Sequence, residues 1–216
     1  MDNCIDIVIA DDHPIFLDGL RHIIESSDYK VAAEAKNGRD AVELIEKHKP
    51  RVAVLDIEMP YLDGLEILAA GRKKFDGTKI ILLTAHKNEK IFNRAMDLGA
   101  YGYILKENAS SELIDCIKAV LLGDYFVSPA ISSLLISRNR KRNELEEKHP
   151  GICNLSKVEK QVLKMIAESK SSREIGDELF VSSRTVEKHR ENISRKLDIH
   201  GSNALLKFAL DNRSSI

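Results

Sequence analysis

Cysteine is scarce in this chain of 216 residues: Cys4, Cys116 and Cys153 are too few and too widely spaced for a disulfide framework or a zinc site. The first residues carry no basic segment followed by an apolar core, so no secretory leader is expected, and nothing matches a lipidation signal. No apolar run approaches the roughly 20 residues that a bilayer crossing needs. These absences predict a soluble protein of a reducing, cytoplasmic compartment. Net charge is also small, at −1, but it conceals an asymmetry. Residues 1–127 hold 16 Lys and Arg against 22 Asp and Glu, whereas residues 148–216 hold 13 against 9. An acidic first part and a basic second part suit different partners, and the basic part suits nucleic acid. At this length two domains are expected.

What the first part does have is a recurrence of short apolar runs: Ile5–Ala10, Val31–Ala33, Val52–Leu55, Ile80–Leu83 and Tyr101–Leu105. Helical patterns lie between them. In "GRDAVELIEKHK" Ala41, Leu44 and Ile45 share one stripe, and "SSELIDCIKAVLLG" does the same with Leu113, Ile117 and Val120 before Gly123 ends it. Continuous apolar strands separated by helices predict a parallel sheet covered on both faces, built from five βα units. From Ser128 onward the character changes. "SRNRKRNELEEKHPG" is charged and closed by Pro150-Gly151, which reads as a solvated linker or a helix extension feeding one, with a charged face of one continuous helix as the competing reading. Three helical patterns follow, each opened by a serine suited to an N-cap, and "NALLKFALDN" closes the chain. They make a small all-α domain with Val162, Leu163, Ile166, Ile175, Leu179, Val186, Ile193 and Leu197 as its expected core.

In an open α/β sheet, ligands bind beyond the carboxyl ends of the strands. Asp11 and Asp12 follow the first run, Asp56 the third, Thr84 the fourth and Lys106 the fifth. Asp11 and Asp12 are like charges at adjacent positions, tolerable if a cation sits between them and Asp56. Hard oxygen ligands of this kind suit Mg²⁺. A carboxylate kept ionised beside Mg²⁺ can attack phosphorus and form an acyl phosphate, with Lys106 and Thr84 neutralising the phosphoryl oxygens.

The stretches "ADDHPIFLDGL", "VLDIEMPYLDGLEIL", "ILLTAH" and "GAYGYILKE" resemble the receiver domain of two-component response regulators of the NarL/FixJ group, over about residues 5–122. The resemblance implies a flavodoxin-like, doubly wound parallel sheet of five strands. It implies that Asp56 is the phosphoacceptor and that Asp11, Asp12, Asp56 and the backbone carbonyl of Glu58 hold Mg²⁺. By the same resemblance Lys106 and Thr84 contact the phosphoryl group, and Tyr103 is the switch aromatic that rotates into space vacated by Thr84. A plain buried strand tyrosine is the competing reading of Tyr103. Glu107 departs from the proline that many receivers carry after the lysine.

In "SSREIGDELFVSSRTVEKHRENISRKL" a helix of about eight residues, a short turn and a longer polar helix make the layout of a helix-turn-helix. Val186, Ile193 and Leu197 form one stripe of the longer helix, which leaves Arg184, Thr185, Lys188, Asn192 and Arg195 facing outward toward bases and phosphates. Ser182 and Ser183 sit where free backbone N–H groups attract a phosphate. Residues 150–213 resemble the LuxR-type helix-turn-helix, with residues 123–149 as the linker between the domains. That resemblance implies DNA contact by Lys188, His189, Arg190 and Asn192, beside Arg184 and Thr185, although His189 is equally placed to pack and brace its helix.

The expectation is a regulator rather than an enzyme. A partner sensor histidine kinase phosphorylates Asp56, dimerisation or interdomain contacts shift, and the last domain binds double-stranded DNA, as a homodimer on paired half-sites. One rival is a phosphorylation-independent DNA-binding regulator whose first domain only mediates partner contact; it predicts no Mg²⁺ binding. A second, an aspartate-based phosphatase, gives no reason for a helix-turn-helix.

Overall fold

The computed structural model describes residues 5–75, 77–201, 203–213 and 216; Cys4 lies outside them. The chain divides into two compact units, residues 1–134 and 135–216, each with its own core. Among the described residues no helix is long and apolar enough to cross a membrane.

The first unit alternates β1 (Ile5–Ala10), α1 (Pro14–Glu25), β2 (Tyr29–Ala35), α2 (Gly38–His48), β3 (Val52–Asp56), α3 (Gly64–Lys74), β4 (Lys79–Thr84), α4 (Glu89–Leu98), β5 (Gly102–Leu105), α5 (Ala109–Leu122) and β6 (Phe126–Val127). All neighbouring strands pair in parallel, in the order β2-β1-β3-β4-β5-β6. The sheet therefore has six strands where the sequence predicts five. The sixth is two residues long, too short to show periodicity, and is held by Phe126 N–H to Tyr101 O and Ser128 N–H to Tyr103 O, both 2.9 Å.

The strands read as unbroken apolar runs because successive side chains enter two different cores. Val8, Ala10, Ala53, Leu55, Ile80 and Leu82 pack with Ala41 and Ile45 of α2, Leu68 of α3 and Phe92 of α4. Their alternates Ile7, Ile9, Val52, Val54, Ile81 and Leu83 pack with Leu17 and Leu20 of α1 and Leu113 and Ile117 of α5. Each such fully buried Ile or Leu contributes about 1.5–3 kcal/mol. Gly123, at φ 101°, ends α5 in the left-handed region that glycine enters without strain.

The segment read as a linker contains β6 and a 17-residue helix, α6 (Ser132–Lys148), within which the division between the units falls. Arg140–Glu144 and Arg142–Glu146 pair at i,i+4 along its charged surface. The second unit continues with α7 (Lys157–Ala167), α8 (Ser172–Leu179), α9 (Ser183–Lys196) and α10 (Ala204–Asp211). Ser156, Ser171 and Ser182 cap α7, α8 and α9 through the expected side-chain acceptance of an N–H three residues on. All eight predicted core residues join one cluster, Leu179 only partly buried.

Candidate functional site

Register brings the chemistry together. Ala10 lies beside Leu55, so Asp11 emerges next to Asp56; Asp56 lies beside Leu83, so Thr84 is one step further; and Thr84 lies beside Leu105, so Lys106 is one step beyond that. The crevice forms between β1 and β3, where strand order reverses, with β4 and β5 continuing to one side. Gly64 lets the β3–α3 loop fold back on the end of β3: a Cβ there would stand 2.5 Å from the Asp56 carbonyl oxygen.

Asp11 and Asp56 are buried, Asp12 is half-buried, and Lys106 closes the pocket. The Lys106 ammonium stands 2.7 Å from Asp11 Oδ2 and 2.8 Å from Asp56 Oδ2, and 5.0 Å from the centroid of the Phe16 ring. Its approach is off the line of a hydrogen bond. Asp11 Oδ2, Asp56 Oδ2 and Asp12 Oδ1 are thus buried oxygens without a hydrogen-bond donor of good geometry among the described residues. Burial holds the Asp56 carboxyl above the usual carboxylate range, the charge of Asp11 adds to that, and Lys106 opposes it. Burial works to lower the Lys106 pKa, but its two carboxylate partners outweigh it and the net shift is upward.

Donor-poor, converging carboxylate oxygens are what a hard divalent cation completes, because each is desolvated without a full set of partners. One ligand atom each from Asp11, Asp12, His13 and Asp56 lie within 4.8 Å of one another. The residues fit Mg²⁺. The sequence alone does not single out His13, because a histidine before Pro14 reads as a turn residue; its Nδ1 lies 2.7 Å from Asp12 Oδ1 and its backbone N–H donates to Asp11 Oδ1 at 2.9 Å. His86 Nε2 and Glu58 Oε1, 3.9 Å apart, are likewise not legible as neighbours.

Thr84 is buried, its hydroxyl accepting from the His86 N–H at 3.1 Å. Tyr103 is buried beside it and meets the Phe92 ring edge-to-face at 5.3 Å. Burial pushes the Tyr103 phenol up to about 12, Thr84 opposing the shift, and no hydrogen bond of ordinary geometry satisfies that hydroxyl among the described residues. A buried, unsatisfied phenol costs free energy, so this inward position leaves the ring with a polar group still to place.

In the second unit α8 and α9 join through Phe180, Val181 and the Ser182 cap. A Cβ on Gly176 would come within 2.7 Å of the Val181 carbonyl oxygen, so only glycine allows this close turn. Val186 and Ile193 are buried. Ser182, Ser183, Arg184, Thr185 and Lys188 are exposed along the opposite face, while His189, Arg190 and Asn192 are half-buried. Ser182 Oγ meets Thr185 Oγ1 at 2.8 Å, and Arg195 donates to Asn192 Oδ1 at 3.0 Å, so Ser182, Thr185 and Asn192 are already oriented.

Residues 7–118 match the model of the response regulator receiver domain, and residues 153–209 that of the bacterial regulatory proteins of the luxR family. The chain is 32% identical over 212 residues to the transcriptional regulatory protein DegU of Brevibacillus brevis, covering 92% of this chain and 90% of that one. It is 32% identical over 208 residues to the oxygen regulatory protein NreC of Staphylococcus carnosus, covering 94% and 96%. Among solved structures, a complex of the two-component response regulator RcsB with DNA superposes with a TM-score of 0.58 at 29% identity, over 97% of this chain and 99% of that one.

Proposed function

Because the chain belongs to the DNA-binding response regulators that join a receiver domain to a LuxR-type helix-turn-helix domain, we propose that it couples phosphorylation of Asp56 to DNA binding and so controls transcription. The family consists of regulators rather than enzymes. The observation that carries the reading is the convergence of Asp11, Asp12, Asp56 and Lys106 in one pocket at the strand ends, where Asp11 and Asp56 are buried and Lys106 reaches both.

Asp56 acts as nucleophile toward a phosphohistidine of a sensor histidine kinase: its Oδ–P bond forms as the P–N bond of the donor breaks, and the phosphoryl group passes between them. Asp11, Asp12, Asp56 and the Glu58 carbonyl would hold Mg²⁺, which would supply positive charge beside the transferring group. Lys106 supplies a fixed positive charge, already within ion-pair distance of Asp56. The Thr84 hydroxyl turns to donate to a phosphoryl oxygen, giving up its bond with His86, and the Tyr103 ring, already buried beside it, is held inward against Phe92. Fixing the ring there fixes the surface of α4 and β5, which shifts dimerisation or interdomain contacts.

In the second unit Ser182 and Ser183 present the α9 N-terminus to a phosphate, Lys188 and Arg184 provide charge, and Thr185, His189, Arg190 and Asn192 lie nearest base edges. Duplex DNA as partner is supported by the exposed basic and hydroxyl face and by the RcsB–DNA complex. Homodimerisation on phosphorylation and a cytoplasmic location complete the proposal. Mg²⁺ titration of wild-type protein and of Asp11→Asn tests the pocket: saturable binding that the substitution weakens at least tenfold is expected, and binding indifferent to Asp11 refutes it.

A further inference from the structure

The proposed phosphoryl transfer assigns no role to His13, which lies in the same pocket. His13 caps the start of α1 without a side-chain cap bond, and its exposed ring leans over the carboxylates instead, Nδ1 standing 2.7 Å from Asp12 Oδ1 and 3.2 Å from Asp11 Oδ1. The 3.2 Å contact is a hydrogen bond and the 2.7 Å one an ion-pair contact, both of which an ion would replace, and one ligand atom each from His13, Asp11, Asp12 and Asp56 lie within 4.8 Å of one another. Asp11 divides its oxygens between the two sides, Oδ1 toward His13 and Oδ2 toward Lys106, so a cation can be held on the His13 side without displacing the ammonium. The ring itself is 70% exposed and free to adjust, while the His13 N–H bond to Asp11 Oδ1 keeps the carboxylate in place.

Mg²⁺ takes oxygen ligands and gains little from an imidazole, whereas ions late in the first transition row bind imidazole strongly. We propose that His13 adds a nitrogen ligand to Asp11 and Asp12 and makes the pocket a competing site for a late first-row divalent ion, of the class of Ni²⁺ or Zn²⁺. The proposal rests on reading the pocket as a cation site, and it makes occupancy of the phosphoacceptor centre sensitive to which divalent ion is available. On binding, Nδ1 gives its lone pair to the ion, and any proton it carries moves to Nε2 or to solvent.

Calorimetric titration of the full-length protein with NiCl₂ and, separately, MgCl₂ tests it, in the wild type and in His13→Asn; asparagine is itself a good N-cap, so α1 is retained. The expected result is that His13→Asn weakens the tightest Ni²⁺ binding at least tenfold and lowers the Ni²⁺/Mg²⁺ affinity ratio by a similar factor. A visible Co²⁺ spectrum with nitrogen ligation in the wild type and without it in His13→Asn would agree. Unchanged Ni²⁺ affinity, or an unchanged ratio, overturns the proposal. Wild-type protein that fails to bind Mg²⁺ yet binds Ni²⁺ through His13 would contradict the proposed Mg²⁺-dependent phosphorylation while leaving this inference standing.

Discussion

Single residues carry most of the chemistry. Asp56 is buried, above its usual carboxylate range, and within 2.8 Å of Lys106. Lys106→Ala is expected to leave Mg²⁺ binding detectable but to slow phosphorylation of Asp56 by about two orders of magnitude, since one fixed charge at a transferring group is worth about 3 kcal/mol; acid-quench labelling kinetics check it. Thr84 contributes differently, because it stands between the pocket and Tyr103. Thr84→Ala is expected to accept the phosphoryl group at a rate within about tenfold of wild type, yet to lose the phosphorylation-dependent gain in DNA affinity. Equal loss of both would mean that Thr84 serves the chemistry and not the switch. These residues are legible in the sequence because strand ends in a parallel sheet face one crevice, so Asp11, Asp56, Thr84 and Lys106 can be assembled from the apolar runs alone. His13 is not, because nothing in its neighbours says that a ring beginning a helix turns back toward the carboxylates. Cys116 is buried, and burial pushes its thiol up, which disfavours the thiolate.

Elements set where those residues stand and how firmly. Glu159 of α7 is buried, caps its own helix through Ser156 and accepts from Lys196 of α9 at 2.6 Å. Burial raises its pKa, but Lys196 and Ser156 more than offset that, and the net shift is below 4.5. The sign follows: a carboxylate depressed in the folded state contributes stability above its ordinary pKa, lost as pH falls through that value and the folded one. Thermal unfolding of the second unit should therefore move to lower temperature as pH drops below about 4.5, and Glu159→Gln should flatten that dependence. Lys196→Ala leaves the buried carboxylate without its partner and is expected to cost about 1–3 kcal/mol at neutral pH, measured by urea unfolding. On α9, Lys188→Ala is expected to weaken DNA binding alike across sequences and to reduce the log–log salt slope by about 1. The elements themselves are readable where burial is two-sided, as at Val52–Leu55, or where a serine opens a helix. The edge strand β2 is longer than its apolar run because Tyr29, Lys30 and Glu34 are partly solvated, and β6 is too short to announce itself.

At the scale of the whole molecule, the first unit is acidic and the second basic, and the proposed function assigns them a cation-dependent input and an electrostatic output. Each folds around its own apolar core, so the stability cost of a core substitution falls within its own unit. In the proposed function the coupling between them starts at Asp56, and every later change follows from one covalent event in one pocket. The most direct test is mass spectrometry of the intact protein and of its peptides after acetyl phosphate treatment, with Mg²⁺ and with the metal removed by EDTA. The account predicts a single phosphoryl addition, on the peptide containing Asp56, absent in Asp56→Asn and lost with EDTA. A phosphoryl group that persists in Asp56→Asn, or that forms equally well without the metal, would contradict it.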